Sequence, residues 1–409
     1  MSNLATLKSQ KVLAGVLNVY LIEALLGLSA NLILIGLFFY TSQQFGWAIY
    51  RNLLLVAGEG VFYVFGALSA GPISRKVGRR RLLVILQGLL ATLCLTALFQ
   101  PTPIVISVAA LLYSGVSAAQ WPLLESLAST GASGHLLSRR LTAYNLVWSA
   151  ANAITVALCG MVIQHWPAGL FLVAIAGHVA AVLVLWLTAA RTDRGIPAAP
   201  AQAAAHIAPE PELLKVRTQA LWLARIALPS AYIITSSLSA MLPSLAILQP
   251  LDTQMRTLLG SIWFMARCLT FIVLGLTVFW HTRPRLMVLA TLAMLLGFLG
   301  TTIRLSDVLP HTNVDMLSMI LCQILLGASM GVIYSASLYF GMVLSQGSTD
   351  HGGYHEALIG LGGALGPAAA AAAHLVQPNG IGLSIAAVAG LIGVSLMAVS
   401  VISIAVHRR

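Results

Sequence analysis

The sequence predicts an all-α integral membrane protein with twelve transmembrane helices in two pseudo-symmetric six-helix bundles. Composition is the first reason. Hydrophobic residues make up 59% of the chain and charged ones 8%, against roughly 25% charged in a soluble domain. A soluble core cannot absorb that much apolar surface, whereas lipid can. Second, apolar runs recur along the whole length, each of about 20 residues or more and so long enough to cross a ~30 Å hydrocarbon layer as a helix. They are continuous rather than alternating, which favours helices that satisfy their own backbone groups over a barrel. Third, residues 71–81, GPISRKVGRRR, have a worn copy at 275–285, GLTVFWHTRPR. Gly71, Arg79 and Arg81 are matched by Gly275, Arg283 and Arg285 at one constant offset. A basic hairpin repeated half a chain later implies duplication.

The first span, 14–40, follows Lys8 and Lys11 and is succeeded by eleven more. It is therefore read as an uncleaved helix rather than a signal peptide. Glu23 shares a helical stripe there with Tyr20, Gly27 and Asn31. The second span, 47–73, carries Glu59 about 12 residues in, or ~18 Å at 1.5 Å per residue, near the midplane. Spans at 80–99 and 103–130 follow, the latter with Gln120, Trp121 and, at its end, Glu125. Span five, 139–164, contains Tyr144-Asn145 and a polar stripe of Asn145, Trp148 and Asn152. Span six, 168–189, holds His178, read as a packing residue.

Residues 190–217 break the pattern with four prolines and mixed charge, as an interdomain linker does. This predicts bundles over 1–189 and 218–409. Span seven, 218–247, aligns Arg225, Tyr232, Ser236 and Ser239 near one face. Span eight, 255–280, carries Arg267 as deep as Glu59, and the repeat offset sets it opposite Tyr63, one turn from Glu59. Spans nine to twelve fall at 285–303, 314–345, 355–376 and 381–406. Tyr334 and Ser337 lie in span ten, His374 in span eleven. Tyr354-His355 at the start of span eleven echoes Tyr144-Asn145. The four cysteines all lie in apolar spans and show neither metal spacing nor a disulfide framework.

The net charge of +11 is a topology signal rather than a nucleic-acid footprint. With the amino terminus inside, the loops and termini on that side hold 17 of the 22 basic residues. That asymmetry places both termini in the cytoplasm of a multi-pass protein of the plasma (inner) membrane.

By topology and by the loop after span two, the chain resembles the major facilitator superfamily. Gly71, Lys76, Gly78, Arg80 and Arg81 fit that family's signature, but Arg75 stands where it has an acid. The resemblance implies a gate between this loop and the start of span eleven. The charges are then either exchanged into an Arg75–Glu356 pair, or Arg75 is one more topology charge. It also implies that Glu125 pairs with an arginine of the loop, that span seven lines a central cavity, and that the ligand sits between the halves at mid-membrane. Sugar-porter motifs are absent after spans six and twelve. The GxxxGP pattern expected of drug antiporters in span five occurs instead at Gly362, Gly366 and Pro367, where close helix packing is its default meaning.

Ionisable groups at mid-membrane cost a few kcal/mol each, so they serve as functional hypotheses. Glu59 is expected to carry a coupled proton or meet a cationic group, and Arg267 to bind an anionic one; otherwise each is a buried structural polar group. Glu23, Asn31, Gln120, Tyr232, Ser236 and Tyr334 are the further candidates for coupling or ligand contact. No GxxxxGK[ST], His-Glu-x-x-His or Gly-x-Ser-x-Gly motif occurs. Neighbouring His355 and Glu356 are not expected to share a helix face, so no metal, cofactor or enzyme activity is predicted. The leading reading is a monomeric, proton-coupled secondary transporter of a small polar or amphipathic solute, working by alternating access. A multidrug-type exporter is the alternative within transport. A polytopic enzyme or non-transporting receptor is the alternative outside it.

Overall fold

A computed structural model describes residues 2–192, 211–277, 279–304 and 314–407. The described residues are helical throughout, joined by short turns, with no strand among them. Eleven segments are long and apolar enough to span a membrane, and the shorter Leu286–Thr302 makes the twelfth expected crossing. Side chains turned away from the core are large and apolar, up to Leu276 at 81% exposure. Only lipid accommodates such a surface on so many sides.

The first half comprises α1 (Ser2–Leu34), α2 (Gly36–Phe45), α3 (Ile49–Val77), α4 (Arg79–Phe99), α5 (Pro103–Ala118), α6 (Trp121–Ser129), α7 (Gly134–His165) and α8 (Gly169–Thr192). The second comprises α9 (Pro211–Met241), α10 (Thr253–Gly260), α11 (Ile262–Leu276), α12 (Leu286–Thr302), α13 (Asp315–Ser345), α14 (Thr349–Val376) and α15 (Gly382–His407). Three crossings are broken in mid-course. Between α1 and α2, the Asn31 side-chain amide donates to Gly27 O at 2.6 Å just below the kink at Ile35. Pro122 in the first turn of α6 lacks an N–H and separates it from α5. At Ser261 the hydroxyl donates to Leu258 O at 2.7 Å, between α10 and α11. The core of the expected linker, 193–210, lies outside the described residues, and its last residues, 211–217, are the first turns of α9.

The halves meet most extensively where α3 runs along α14, and again where α7 crosses α10 and α11. Glycine permits the first contact. A Cβ at Gly60 would collide with the backbone of Gly363 and Ala364, and one at Gly353 would lie 3.0 Å from Ala67 O. Gly362 and Gly366 instead face Pro229 and Ile233 of α9, so the GxxxGP pattern packs α14 within its own half.

The basic hairpin needs its glycines for two different reasons. Gly78 closes α3 and opens α4 at φ 90°, a conformation that other residues adopt only under strain. Gly71, the first glycine of the motif, is not part of the turn. It lies inside α3, where a Cβ would strike the Asp350 carboxylate.

Candidate binding site between the halves

A cavity of about 170 Å³ lies between the two halves. The halves touch at both of its ends. At the basic end Arg75 bonds Asp350, and Ser126 Oγ donates to Gly347 O at 2.8 Å. At the other end the Tyr50 ring stacks on His374 with centroids 6.4 Å apart, and Gly160 lies against Gln254.

Seven of the eight candidate ligand or coupling residues line this cavity. Glu23 and Asn31 enter from α1, Glu59 from α3, Tyr232 and Ser236 from α9, Arg267 from α11 and Tyr334 from α13. The eighth, Gln120, does not. It is fully buried, and its Oε1 accepts from Gln87 Nε2 at 2.9 Å. Gln87 in turn accepts from His178 Nδ1, and Tyr113 OH bonds His178 Nε2, each at 2.8 Å. This relay fixes the His178 tautomer and makes both residues structural members of the first half. Ser337 also faces away from the cavity, bonded at 2.9 Å to His355 Nδ1. Trp148 and Asn152 are lining residues, whereas Asn145 accepts from Trp148 Nε1 at 3.3 Å. The polar lining residues that the sequence did not single out for a ligand role include Ser114, Tyr144, Thr235 and Tyr63. Thr235 sits one residue short of Ser236. Tyr63 is one turn beyond Glu59, a spacing that could have found it.

Three carboxylates and one guanidinium face the cavity. Among the described residues no cation reaches the carboxylates of Glu59 or Glu23, which are 5% and 1% exposed; the hydroxyl of Tyr144 lies toward Glu23. Arg267 does not pair with either. Its guanidinium lies 4.4 Å over the Trp148 ring and 5.2 Å over Phe264, and Nε donates to Ser149 Oγ at 3.4 Å. Aromatic faces hold a cation through their quadrupoles, so Arg267 is braced without being neutralised. Its Nη2 makes no hydrogen bond. Trp148 is shared: Tyr334 packs on it at 4.9 Å, leaving an aromatic edge beside the cation.

The gate differs from expectation. Arg75 Nη1 donates to both oxygens of Asp350 at 2.8 Å, and not to Glu356. Depth is the reason. Asp350 stands in the first turn of α14 at the surface, where a helix amino terminus favours an acid. Glu356 lies six residues deeper, is 2% exposed, and accepts from Tyr63 OH. The expected arginine partner of Glu125 is also absent: Arg79 donates to the neighbouring Ser126 Oγ at 3.0 Å. Glu125 is fully buried, and its carboxyl meets that of Glu356 rather than an arginine. Arg80 donates to Leu185 O, while Lys76 and Arg81 are exposed. His355 and Glu356 do converge, contrary to the argument from adjacency. Together with Glu125 they bring one ligand atom each to within 4.8 Å of one another.

A family model described as Major Facilitator Superfamily matches residues 19–367. Two crystal structures of the nucleoside transporter NupG share the fold. A point mutant gives 14% identity and a TM-score of 0.69, over 95% of this chain and 99% of that one. The other gives 13% and 0.67, over 97% and 99%. No curated protein matches the chain.

Proposed function

The chain belongs to the major facilitator superfamily, and on that premise we propose that it moves a small solute by proton-coupled alternating access. The carrying observation is a cavity between the halves that presents carboxylates without counter-ions, Glu23 and Glu59, beside a braced but unneutralised Arg267. A buried carboxylate with no cation is a group that holds and gives up a proton as water reaches it from one side or the other. Arg267 with Trp148 and Tyr334 makes a surface for a flat or anionic group, and Asn31, Asn152 and Ser236 offer hydrogen bonds to a polar rim.

Nucleosides join these two features, an aromatic ring and a hydroxylated rim, and NupG is a nucleoside transporter of the same fold; they are the first solutes to test. A drug-type exporter needs a wide, mainly aromatic cavity, which about 170 Å³ with four ionisable groups does not offer. In this reading the protein works as a monomer in the plasma membrane. The two halves divide at residues 190–217, and the basic loops and both termini lie in the cytoplasm.

The test is uptake of radiolabelled nucleosides into proteoliposomes, with and without an imposed pH gradient. Accumulation above equilibrium that collapses with a protonophore supports the reading. Binding without flux, or flux indifferent to the gradient, removes proton coupling from it.

A further inference from the structure

We propose that Glu125, His355 and Glu356 form a site for one divalent transition-metal ion, which ties the two halves together beneath the cavity. The three come from opposite halves, Glu125 on α6 and the other two on α14. Their ligand atoms lie within 4.8 Å of one another, and their exposures are 0%, 2% and 2%. An ion between them requires only small side-chain rotations to reach the ~2.0–2.2 Å of nitrogen and carboxylate ligands.

The partners of these groups point the same way. Apart from the contact between the Glu125 and Glu356 carboxyls themselves, no donor reaches either oxygen of Glu125, and Nε2 of His355 is buried without a hydrogen bond. Buried polar groups left so are costly and call for an explanation. The other faces of the site are already held. Ser337 Oγ fixes His355 Nδ1 at 2.9 Å, the outer bond by which a ligating imidazole is oriented. Tyr63 OH donates to Glu356 Oε2, leaving Oε1 for an ion. A glycine makes the room: a Cβ at Gly352 would fall 2.7 Å from Glu125 Oε2. Arg225 of α9 is turned to His351, its Nη2 3.1 Å from the ring Nδ1.

Two carboxylates with one imidazole suit zinc, manganese or cobalt better than calcium or magnesium, which favour all-oxygen sites. Glu356 also lines the cavity, so an ion can enter there. Because its ligands come from both halves, the ion would hold the basic end of the cavity closed.

The experiment uses full-length, untagged protein, stripped with a chelator and titrated with Co²⁺ while visible absorption is followed. One saturable equivalent with a nitrogen-ligated d–d band is expected. Glu125→Gln should weaken it at least tenfold, and Ser337→Ala, outside the ligand set, by about tenfold. Zn²⁺ should raise the melting temperature of the wild type and not of Glu125→Gln. Absence of saturable binding up to millimolar Co²⁺ would overturn the site, as would equal binding by wild type and Glu125→Gln, which marks surface histidines instead. Should Glu125→Gln fold poorly, Ser337→Ala decides: unchanged Co²⁺ affinity counts against the site.

Discussion

Replacing Glu59 by glutamine separates coupling from folding, and the structure sets both magnitudes. Glutamine keeps the shape and stands in for the protonated carboxyl. Had Glu59 been one partner of a buried ion pair, removing its charge would cost roughly 3–5 kcal/mol through the stranded cation. Its carboxylate touches no cation among the described residues, and Arg267 is braced on Trp148 and Phe264 instead. Glu59→Gln should therefore change stability by less than about 1 kcal/mol, read as a small shift in melting temperature. Transport should change far more. One proton moved down a gradient of one pH unit supplies about 1.4 kcal/mol, or tenfold accumulation of a neutral solute at one-to-one coupling. In proteoliposomes the wild type should approach that ratio, while Glu59→Gln should stop at equal concentrations and still exchange labelled for unlabelled solute. Normal accumulation by Glu59→Gln would refute the reasoning and pass the role to Glu23, the other carboxylate in the cavity that meets neither a cation nor Glu125.

Arg267→Ala removes the cation from the aromatic wall, and should weaken binding of an anionic solute about tenfold or more without the sparing of exchange seen at Glu59; equilibrium binding of labelled solute checks this. The Arg75–Asp350 pair is exposed, so each charge reversal should slow transport modestly. The double reversal should recover most of the loss, with a coupling energy of about 0.2–1 kcal/mol in a double-mutant cycle. His281, in the loop between α11 and α12, is held at a pKa of about 4 by burial first and then by Arg217 and His135. It stays neutral in the folded protein while the unfolded chain takes up a proton below about 6.5, so stability falls as pH drops from 6.5 toward 4. His281→Phe, which keeps the stack on Tyr339, should flatten melting temperature across that window.

How far the sequence could be read depended on the range of the interaction. Spans were legible because run length and apolarity are properties of a contiguous stretch, and the kinks mostly sit at residues that announce them, such as Pro122. Depth along one helix was legible as well, which is why Glu59, Arg267, Tyr232 and Ser236 fall in the cavity. Partner choice was not. Gln120 and Glu59 look alike as polar residues in apolar runs, yet Gln120 is absorbed by Gln87, 33 residues away. Whether Arg75 reaches Asp350 or Glu356 depends on how α14 enters the membrane, a matter of six residues of depth. The rule that adjacent helical residues face apart failed at His355 and Glu356 because long side chains turn through much of the ~100° between neighbours on a helix.

The glycines on both sides of α14 have a mechanical consequence. Most helix contacts interlock, so that sliding one past another requires side chains to leave their rotamers. Along α14 the contacts with α3 at Gly360 and Gly363, and with α9 at Gly362 and Gly366, are made largely to backbone, with only the small side chains of Val64, Ser236 and Ser237 reaching in. Such faces are smooth on the scale of a methyl group. Friction there is low, because displacement by a fraction of a turn meets no row of knobs. The helix that carries Asp350, His355 and Glu356 is thus seated like a shaft between two bearings, and resistance to its movement resides in those few polar contacts rather than in its packing.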